Sequence, residues 1–440
     1  MSANKFVLQA PYIFYDDNLQ NDGAIVVSDS LISDFIRGPI DKIHWISKGF
    51  DVMERPFHFV IPGLVNTHAH SPMTLLRGMA DDLPLKVWLE NHIWPMEAQF
   101  VNEEFCRIGA KLASAEALLS GVTTISDMYF FAPAIAKSFL ESGLRATVGI
   151  SILDFPTPES RSSIEQLELA RVQIDQALRH PQSRINWSIA PHAPYTVSPR
   201  SMEMCRDLAK EFDLTIQCHA SETLTECEEI QKKYGCSPIE YLDGLGMLSE
   251  KTLLAHCVHL SEREIDILAQ RQVGVSHCLS SNLKLGSGIA PIQSLLKSGV
   301  NMSLGTDGAA SNNRTDLFTE MHLVAKVHKG VSRDPTLLDA RTVFDMATKG
   351  GAKVCGHRDI GTLAKGKKAD IVAVDFRHAR TWPVYDPISH LVYVSQSSDV
   401  KDVWVDGVHL VQKGSLTKID MDDLLKEVES FVTRLKEARK

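Results

Sequence analysis

The clearest structural signal in the sequence is the stretch Pro62-Gly63-Leu64-Val65-Asn66-Thr67-His68-Ala69-His70. Its apolar start predicts a buried strand, and two histidines stand at its end. Residues two apart in a strand point to the same face of a sheet. His68 and His70 could therefore bind one metal ion together, although such a pair also occurs in proteins without a metal.

Seven further β-rich runs follow, and helical patterns such as 102–119 and 198–212 lie between several of them. The eight runs are Phe59–His68, Gly121–Asp127, Ala146–Leu153, Ile185–Pro191, Thr215–His219, Thr252–His256, Val273–Ser276 and Asn301–Thr306. Strands that alternate with helices in this way predict an α/β protein built on a distorted (β/α)8 TIM barrel.

The two ends of the chain differ from this alternating middle. Short β-like pieces fill the first 60 residues, and strand 369–376 and a hairpin signal at Asp406-Gly407 occur near the other end. We expect both ends to form one small β-sandwich domain. The predicted division is 1–61 for its first part, 62–360 for the metal-dependent barrel, and 361–440 for its second part plus an amphipathic C-terminal helix.

Composition and charge narrow the class of protein. The 440 residues are 44% hydrophobic and carry a net charge of −9, which argues against a sequence-independent grip on nucleic acid. The sequence has no apolar run long enough to cross a membrane and no signal-peptide pattern. Its eight cysteines form no CxxC pair, which favours reduced thiols. We expect a cytoplasmic protein that binds neither nucleic acid nor membrane, and separately we expect a homo-oligomer.

Polar residues stand where several predicted strands end, and barrel enzymes place their chemistry at that edge. They are His68 and His70, His192, His219 with Glu222 three residues later, His256, and Asp307. A single histidine after an apolar run is usually structural. Five such strand ends in one register instead indicate a metal site.

The expected ligands share this position at strand ends: His68, His70, His219 and Asp307. Neutral imidazoles with one carboxylate suit zinc, or ferrous iron, and leave room for a water that the ion would acidify. Asp307 could accept the proton of that water, Glu222 could transfer a proton to the substrate, and His256 could orient the attacking oxygen. The fourth run offers His192 and no lysine, so we expect one divalent ion and not a lysine-bridged pair.

Longer motifs around these residues resemble the amidohydrolase superfamily over nearly the whole chain. They are the opening stretch, Cys218-His219-Ala220-Ser221-Glu222, Ala255-His256-Cys257 and Gly305-Thr306-Asp307-Gly308-Ala309-Ala310-Ser311. Within the superfamily the chain is similar to the 5-methylthioadenosine/S-adenosylhomocysteine deaminases. This narrower resemblance rests on residues 73–83, 88–89, 94–97, 191–195 and 281–286. Triazine hydrolases and other nucleobase deaminases share several of these motifs.

The resemblance implies deamination at C6 of the adenine ring of 5′-methylthioadenosine, S-adenosylhomocysteine or adenosine, giving the inosine analogue and ammonia. Glu222 would bind the purine and protonate a ring nitrogen, while His256 would assist attack at C6. Glu97 would accept hydrogen bonds from the ribose hydroxyls, and His192 would contact the nucleoside. Glu97 could instead be a solvated helix residue, and His192 could make only a structural hydrogen bond.

The sequence also departs from the family, in which some members carry arginines after the third strand that would meet the carboxylate of S-adenosylhomocysteine. This chain offers Arg161, which could contact the substrate or be an ordinary charge at a helix start. Without an arginine that meets the carboxylate, a neutral methylthio substrate is favoured over S-adenosylhomocysteine.

Two alternatives remain from sequence alone. One is another aminohydrolase of the superfamily, acting on a free purine, guanine, pterin or triazine. A ribose-binding Glu97 would argue against it. The other is an inactive barrel that only binds a metal or ligand, which the presence of Glu222 and His256 disfavours.

Overall fold

The structure, a computed structural model, describes residues 4–438 of the chain. Its first five strands belong to one sheet: β1 (Lys5–Tyr15), β2 (Asn18–Ser28), β3 (Leu31–Arg37), β4 (Asp51–Glu54) and β5 (His58–Pro62). β2 pairs antiparallel with β1 and β3, whereas β4 and β5 both run parallel to β1.

Eight parallel strands of the described chain then form a nearly closed barrel. They are β6 (Leu64–Ala69), β7 (Val122–Tyr129), β8 (Arg145–Ile152), β9 (Ile185–Pro191), β10 (Thr215–Ala220), β11 (Thr252–His256), β12 (Gly274–His277) and β13 (Asn301–Leu304). The last strand lies beside the first, where the Asp307 N–H donates to the His68 carbonyl at 2.9 Å. The predicted barrel is confirmed, and each predicted run overlaps one of these strands.

Helices connect the strands and cover the outside of the barrel. The helices are Lys42–Ser47, Leu85–Trp88, Trp94–Phe100, Glu103–Leu119, Ala132–Ser142, Ser163–Arg179, Pro199–Glu211, Leu224–Tyr234, Pro238–Gly244, Glu262–Gln270, Leu279–Lys284, Ile292–Lys297, Leu317–Ser332, Ala340–Asp345, Gly351–Val354, Pro387–Tyr393 and Met421–Ala438, with shorter 3-10 or π turns at Ser71–Leu76, Leu89–Ile93, Met346–Gly350 and Ser397–Asp399. The predicted C-terminal helix is present, and its Leu424, Phe431 and Leu435 are buried. Within residues 4–438, no helix is long and apolar enough to cross a membrane.

The C-terminal strands join the first sheet. They are β14 (Ile371–Asp375), β15 (Val400–Val405), β16 (Val408–Gln412) and β17 (Ser415–Leu416), and β14 pairs antiparallel with β5. Apolar side chains from both chain ends, including Phe6 and Trp404, share one buried cluster. The predicted hairpin forms, with Asp406 and Gly407 both at positive φ (50° and 72°). Both ends therefore build one sheet, while the boundaries 1–61, 62–360 and 361–440 remain a prediction.

One predicted strand is wrong in its extent, because Phe59–His68 is two strands separated by Gly63. The Gly63 N–H donates to Asp370 at 3.0 Å, and the next N–H donates to Gly121 at 3.0 Å on the barrel side. A Cβ on Gly63 would lie 2.0 Å from the Thr123 hydroxyl oxygen. The backbone thus passes from one sheet to the other at a single residue, and the continuous apolar run does not reveal this change.

Candidate active site

His70 and His219 face each other at the carboxyl edge of the barrel. The Nδ1 atom of His70 lies 2.7 Å from the Met128 carbonyl oxygen, and that of His219 lies 2.7 Å from the His192 carbonyl oxygen. Each Nδ1–H therefore donates to a carbonyl, which leaves a lone pair on each Nε2. These two Nε2 atoms are 3.2 Å apart. Two facing lone pairs at this distance are favourable when a cation lies between them.

Asp307 directs one carboxylate oxygen at the histidines. Its Oδ1 lies 3.3 Å from His68 Nε2 and 3.2 Å from His70 Nε2. Its Oδ2 accepts hydrogen bonds from the hydroxyls of Ser281 (2.6 Å) and Ser311 (2.7 Å). His68 Nε2 is buried and has no hydrogen-bond partner among residues 4–438. An orphaned imidazole nitrogen beside a fixed carboxylate fits a divalent metal ion.

The protonation states are consistent with a metal centre. Burial lowers the pKa of His68 to about 4 and that of His219 well below its usual range, so both rings are neutral at pH 7, as metal ligands must be. Although burial opposes it, the Asp307 carboxylate raises the pKa of His70 to about 9, so a metal ion that binds here must displace a proton from this ring. Burial would raise the pKa of Asp307, but His68 and His70 hold it well below its usual range. The cluster therefore attracts positive charge.

The structure brings the four predicted ligands together and adds a fifth donor. Among the described residues, one compact group has its ligand atoms within 4.8 Å of one another: His68, His219, His256 and Asp307. His70 belongs with this group because its Nε2 lies against both His219 and Asp307. The cluster suits one divalent metal ion, as expected.

Glu222 and His256 lie next to this cluster, with His256 Nε2 3.8 Å from Glu222 Oε2. The Nδ1 atom of His256 lies 2.8 Å from Asn282 Oδ1, which fixes the ring. Glu222 accepts a hydrogen bond from the Ser287 hydroxyl at 3.2 Å. Burial raises the pKa of Glu222, which favours its acid form. The pair can therefore donate a proton on one side and orient an oxygen on the other.

Two buried carboxylates that hold the site were missed from the sequence. Glu226 accepts from the backbone N–H groups of Ser221 (3.0 Å) and Glu222 (2.8 Å), so it fixes the turn that carries Glu222. Its signal was the spacing Thr223-x-x-Glu226, typical of a helix N-terminus. Asp127 accepts from the Ser71 N–H at 2.6 Å, directly after His70. Asp127 ends the second predicted run, so its position as a polar residue at a strand end could have identified it.

One cavity contains the cluster and the predicted substrate contacts. Its polar lining includes His70, His192, His219, Glu222, His256, Asp307 and Glu97. Glu97 is only 6% exposed and accepts a hydrogen bond from the Tyr129 hydroxyl at 2.7 Å, so it is not a solvated helix residue. Burial raises the pKa of Glu97 to about 7. Trp88 and Trp94 also line this cavity.

Arg161 is the predicted contact that the structure does not bring to the cavity. Its side chain is exposed, and its backbone N–H donates to Glu165 at 2.8 Å. It immediately precedes Ser162, the N-cap of helix Ser163–Arg179. This position matches an ordinary charge at a helix start.

A (β/α)8 barrel with a buried histidine–aspartate cluster and an adjacent acid–base pair defines a metal-dependent hydrolase. Residues 59–410 match the amidohydrolase family. The chain belongs to the amidohydrolase family, as its motifs had indicated.

Several characterised proteins are similar to nearly the whole chain. The 5-methylthioadenosine/S-adenosylhomocysteine deaminase of Thermodesulfovibrio yellowstonii is 41% identical over 437 residues, 98% of this chain and 99% of the relative. The 5′-deoxyadenosine deaminase of Methanothermobacter thermautotrophicus is 41% identical over 418 residues, 94% and 93% of the two chains. An adenosine deaminase from Xanthomonas campestris, solved with bound zinc, superposes with a TM-score of 0.93 at 38% identity and covers 98% of both chains. The expected enzyme class, a hydrolase of C–N bonds, is confirmed.

Proposed function

We propose that this chain hydrolytically deaminates C6 of the adenine ring in 5′-substituted adenosines, namely 5′-methylthioadenosine and S-adenosylhomocysteine, and releases the inosine analogue and ammonia. The observation that carries the proposal is that Glu97 and Glu222 line one cavity with the histidine–aspartate cluster. A free base needs a carboxylate at its ring only. A nucleoside gives a second buried carboxylate a role at the ribose hydroxyls. The names of the relatives support the same substrate class.

The proposed metal ligands are the predicted set: His68, His70, His219 and Asp307. Zinc, or ferrous iron, suits these donors, and the zinc in the Xanthomonas relative supports the former. When bound, the ion supplies Lewis acidity that lets a water molecule ionise near neutral pH. We assign His256 to the substrate side because its Nε2 faces Glu222 and its Nδ1 is held by Asn282.

The side chains then divide the proton transfers between them. Asp307 Oδ1, which faces the cluster, accepts the proton of the attacking water. Glu222 is kept as an acid by burial and protonates a purine ring nitrogen, which prevents negative charge from building up on the ring. His256 stabilises the oxygen that adds to C6. Asp307 passes its proton to the C6 amino group, the C6–N bond breaks, and ammonia leaves. The hydroxyl on C6 then gives its proton to Glu222 as the C6 carbonyl forms, which restores the acid.

The remaining contacts recognise the nucleoside. Glu97, held by Tyr129, accepts hydrogen bonds from the ribose hydroxyls. His192 is fixed by a 2.9 Å hydrogen bond between its Nδ1 and the Thr196 hydroxyl, which leaves its other ring nitrogen for the substrate. Arg161 has no place in this proposal.

An ammonia-release screen of the purified, metal-loaded protein tests the proposal. The kcat/KM values for adenosine, methylthioadenosine, S-adenosylhomocysteine, adenine, guanine and cytosine should be compared. We expect the highest values for the 5′-substituted adenosines. A free base as the best substrate would favour another aminohydrolase, and no ammonia from any compound would favour a non-catalytic barrel.

A Glu97→Ala variant separates nucleoside from free-base recognition. Because Glu97 contacts only the ribose in the proposal, KM for methylthioadenosine should rise by about 10- to 100-fold, the loss of one to two charge-assisted hydrogen bonds. The KM for adenine should change far less. An equal loss on both compounds would contradict a ribose-binding role.

We also propose a cytoplasmic homo-oligomer. All eight cysteines lie in the described residues and are free thiols, which supports a reducing compartment. Trp382 and Tyr385 are 58% and 89% exposed, and aromatic side chains of this kind are enriched at subunit interfaces. Light scattering of the purified protein tests the oligomeric state.

A further inference from the structure

We propose that a second cavity outside the active-site cavity binds the amino-acid head of a nucleoside thioether through Lys86 and Glu229. The inference rests on the proposed deaminase function and selects S-adenosylhomocysteine as a substrate that the site is built to hold. This outer cavity has a volume of about 640 Å³ and is lined in part by Lys86, Glu229, Lys233 and Thr223.

The outer cavity adjoins the active-site cavity. Six residues form walls of both: Leu85, Leu89, Trp94, Phe155, Tyr195 and Leu285. Glu97, where the ribose hydroxyls would bind, lines the active-site cavity, where it is buried and accepts a hydrogen bond from Tyr129. In this proposal, a substituent on the ribose 5′ carbon passes between the six shared residues and reaches the outer cavity.

The shared walls match the first part of such a substituent. They are apolar, and the rings of Trp94 and Phe155 pack with their centroids 5.3 Å apart. A thioether sulfur and methylene groups bind well against aromatic and aliphatic side chains. A methylthio group would end within these walls, whereas a homocysteine chain would continue past them.

The lining of the outer cavity includes an ion pair, Lys86 and Glu229. Lys86 Nζ lies 2.9 Å from Glu229 Oε1, and the two residues come from helices Leu85–Trp88 and Leu224–Tyr234. Their side chains are 59% and 48% exposed, so water and ligand can reach both. An α-amino acid head carries a carboxylate and an ammonium group. Inserted here, it would replace one exposed ion pair by two, with its carboxylate on Lys86 and its ammonium on Glu229.

Other charged residues also line the outer cavity. Lys233 adds a second positive charge to the lining, and Glu90, Asp154 and Glu226 add negative ones. Arg161 is exposed outside both cavities and does not compete for this role. The charge complement for the amino-acid head therefore comes from the helices after β6 and β10.

The test compares two substrates that differ only in the amino-acid head. In Lys86→Met and Glu229→Gln variants of the metal-loaded enzyme, kcat/KM is measured by ammonia release for S-adenosylhomocysteine and methylthioadenosine. We expect each variant to lower the ratio of the two values by about two- to fivefold, the effect of one charge-assisted contact at a half-exposed site. Lys251→Met is the matched control, since Lys251 pairs with Asp213 elsewhere on the surface and should leave the ratio unchanged.

The outcomes separate this inference from the proposed function. If the parent enzyme releases ammonia from neither nucleoside, the deaminase proposal fails. If it acts on methylthioadenosine but not on S-adenosylhomocysteine, the amino-acid subsite is wrong. It is also wrong if both variants lower the two activities equally, because the ion pair then only stabilises the local structure. A loss confined to S-adenosylhomocysteine that also grows smaller at high salt supports the subsite, because half-exposed charges are screened.

Discussion

Glu222 is held by groups that act on different parts of it. Ser287 donates to its carboxylate, and Glu226 accepts from its backbone N–H. Ser221, the residue before it, lies at a positive φ of 52°, a conformation that costs energy for a side chain other than glycine. The buried Glu226 carboxylate stabilises this turn by accepting from the Ser221 N–H as well. The proton donor is thus placed by local backbone geometry and not by the metal.

A Glu222→Gln variant should therefore keep its metal and lose turnover. The amide is close in size and keeps the Ser287 contact, but it cannot deliver a proton, so kcat should fall by at least about 10⁴-fold, the upper end for one acid–base group. Metal content by elemental analysis should stay at the parent level. Glu228→Gln, at an exposed position on the helix Leu224–Tyr234 that follows Glu222, is the control. Unchanged ammonia release would remove Glu222 from the mechanism.

The pH dependence of nucleoside binding should follow Glu97. Its carboxylate form accepts hydrogen bonds from ribose, and burial raises its pKa to about 7. Binding favours the ionised form, so affinity should be full above pH 7 and decline as the pH falls below it. At pH 6 the KM for methylthioadenosine should be raised by up to about tenfold, since about one-tenth of the carboxyl groups are then ionised.

The ratio of the KM values for methylthioadenosine and adenine isolates this effect, because titrations elsewhere in the site act on both compounds. A Glu97→Gln variant should lose the pH dependence of the ratio. A ratio that stays constant between pH 6 and pH 8 in the parent enzyme would contradict the assignment.

The sequence predicts the reactive side chains better than the residues that hold them in place by hydrogen bonds. Histidines and Asp307 were found because strand ends meet at one edge of a barrel, and this rule depends on position alone. Asn282 carries no such signal, and Tyr129, the last residue of β7, lies beyond the predicted end of its run at Asp127. They meet Glu97 and His256 only because β7 and helix Leu279–Lys284 come to lie beside the cavity in the folded chain.

At the scale of elements, the segment 71–100 covers the active-site cavity and is fastened to the barrel by polar contacts. Lys284 Nζ donates to Asp81 Oδ1 at 2.6 Å and to Asn313 Oδ1 at 2.7 Å, and Asn313 in turn donates to Asp81 at 3.1 Å. Asp81 is therefore one point at which the segment is attached, and Arg77, which bonds Glu116, is another. Glu97 and both cavity-lining tryptophans lie further along the same segment.

An Asp81→Ala variant should loosen this segment without disturbing the metal. We expect KM to rise several-fold and limited proteolysis to cut faster between residues 77 and 84. The melting temperature should fall by no more than about 2 °C, as exposed ion pairs contribute little to stability. Asp213→Ala, which removes an exposed partner of Lys251, is the control. If KM and the rate of proteolysis do not change, the contacts of Asp81 do not restrain the segment 71–100.

Strand positions were predicted well and strand limits less well. The eight barrel strands were recognisable because buried parallel strands are nearly continuous apolar runs. The same continuity concealed the change of sheet at Gly63, since residues on both sides of it are buried. The attachment of Asp81 was also invisible, because its partners lie more than 200 positions later in the chain.

For the molecule as a whole, a buried ion network joins the barrel to the nine-stranded sheet. Arg145, the first residue of β8, bonds Asp370 before β14 at 3.0 Å and Asp406 in the β15–β16 turn at 2.6 Å. The three side chains are 3%, 2% and 9% exposed. Removing the arginine alone would leave two buried carboxylates without their counter-charge.

An Arg145→Leu variant should lose about 3–5 kcal/mol of unfolding free energy, the cost of an uncompensated buried charge. Chemical denaturation measures this loss. The double variant Arg145→Leu/Asp370→Leu should be more stable than the single one, because it removes one of the stranded charges and Lys368 still lies 3.5 Å from Asp406. A double variant less stable than the single would mean that packing, and not charge, dominates at this junction.

The chain leaves the nine-stranded sheet at Gly63 and returns to it only at β14, which has a consequence for folding during synthesis. Strand β5 leaves the ribosome early, yet its antiparallel partner β14 follows roughly 300 residues later. At synthesis rates of about 5–20 residues per second, that edge waits roughly 15–60 s for its partner. During this time, unpaired backbone groups of the nascent sheet are open to other chains. Production of the protein should therefore benefit from slower initiation or from chaperones that cover exposed strands, even though the finished fold buries this edge completely.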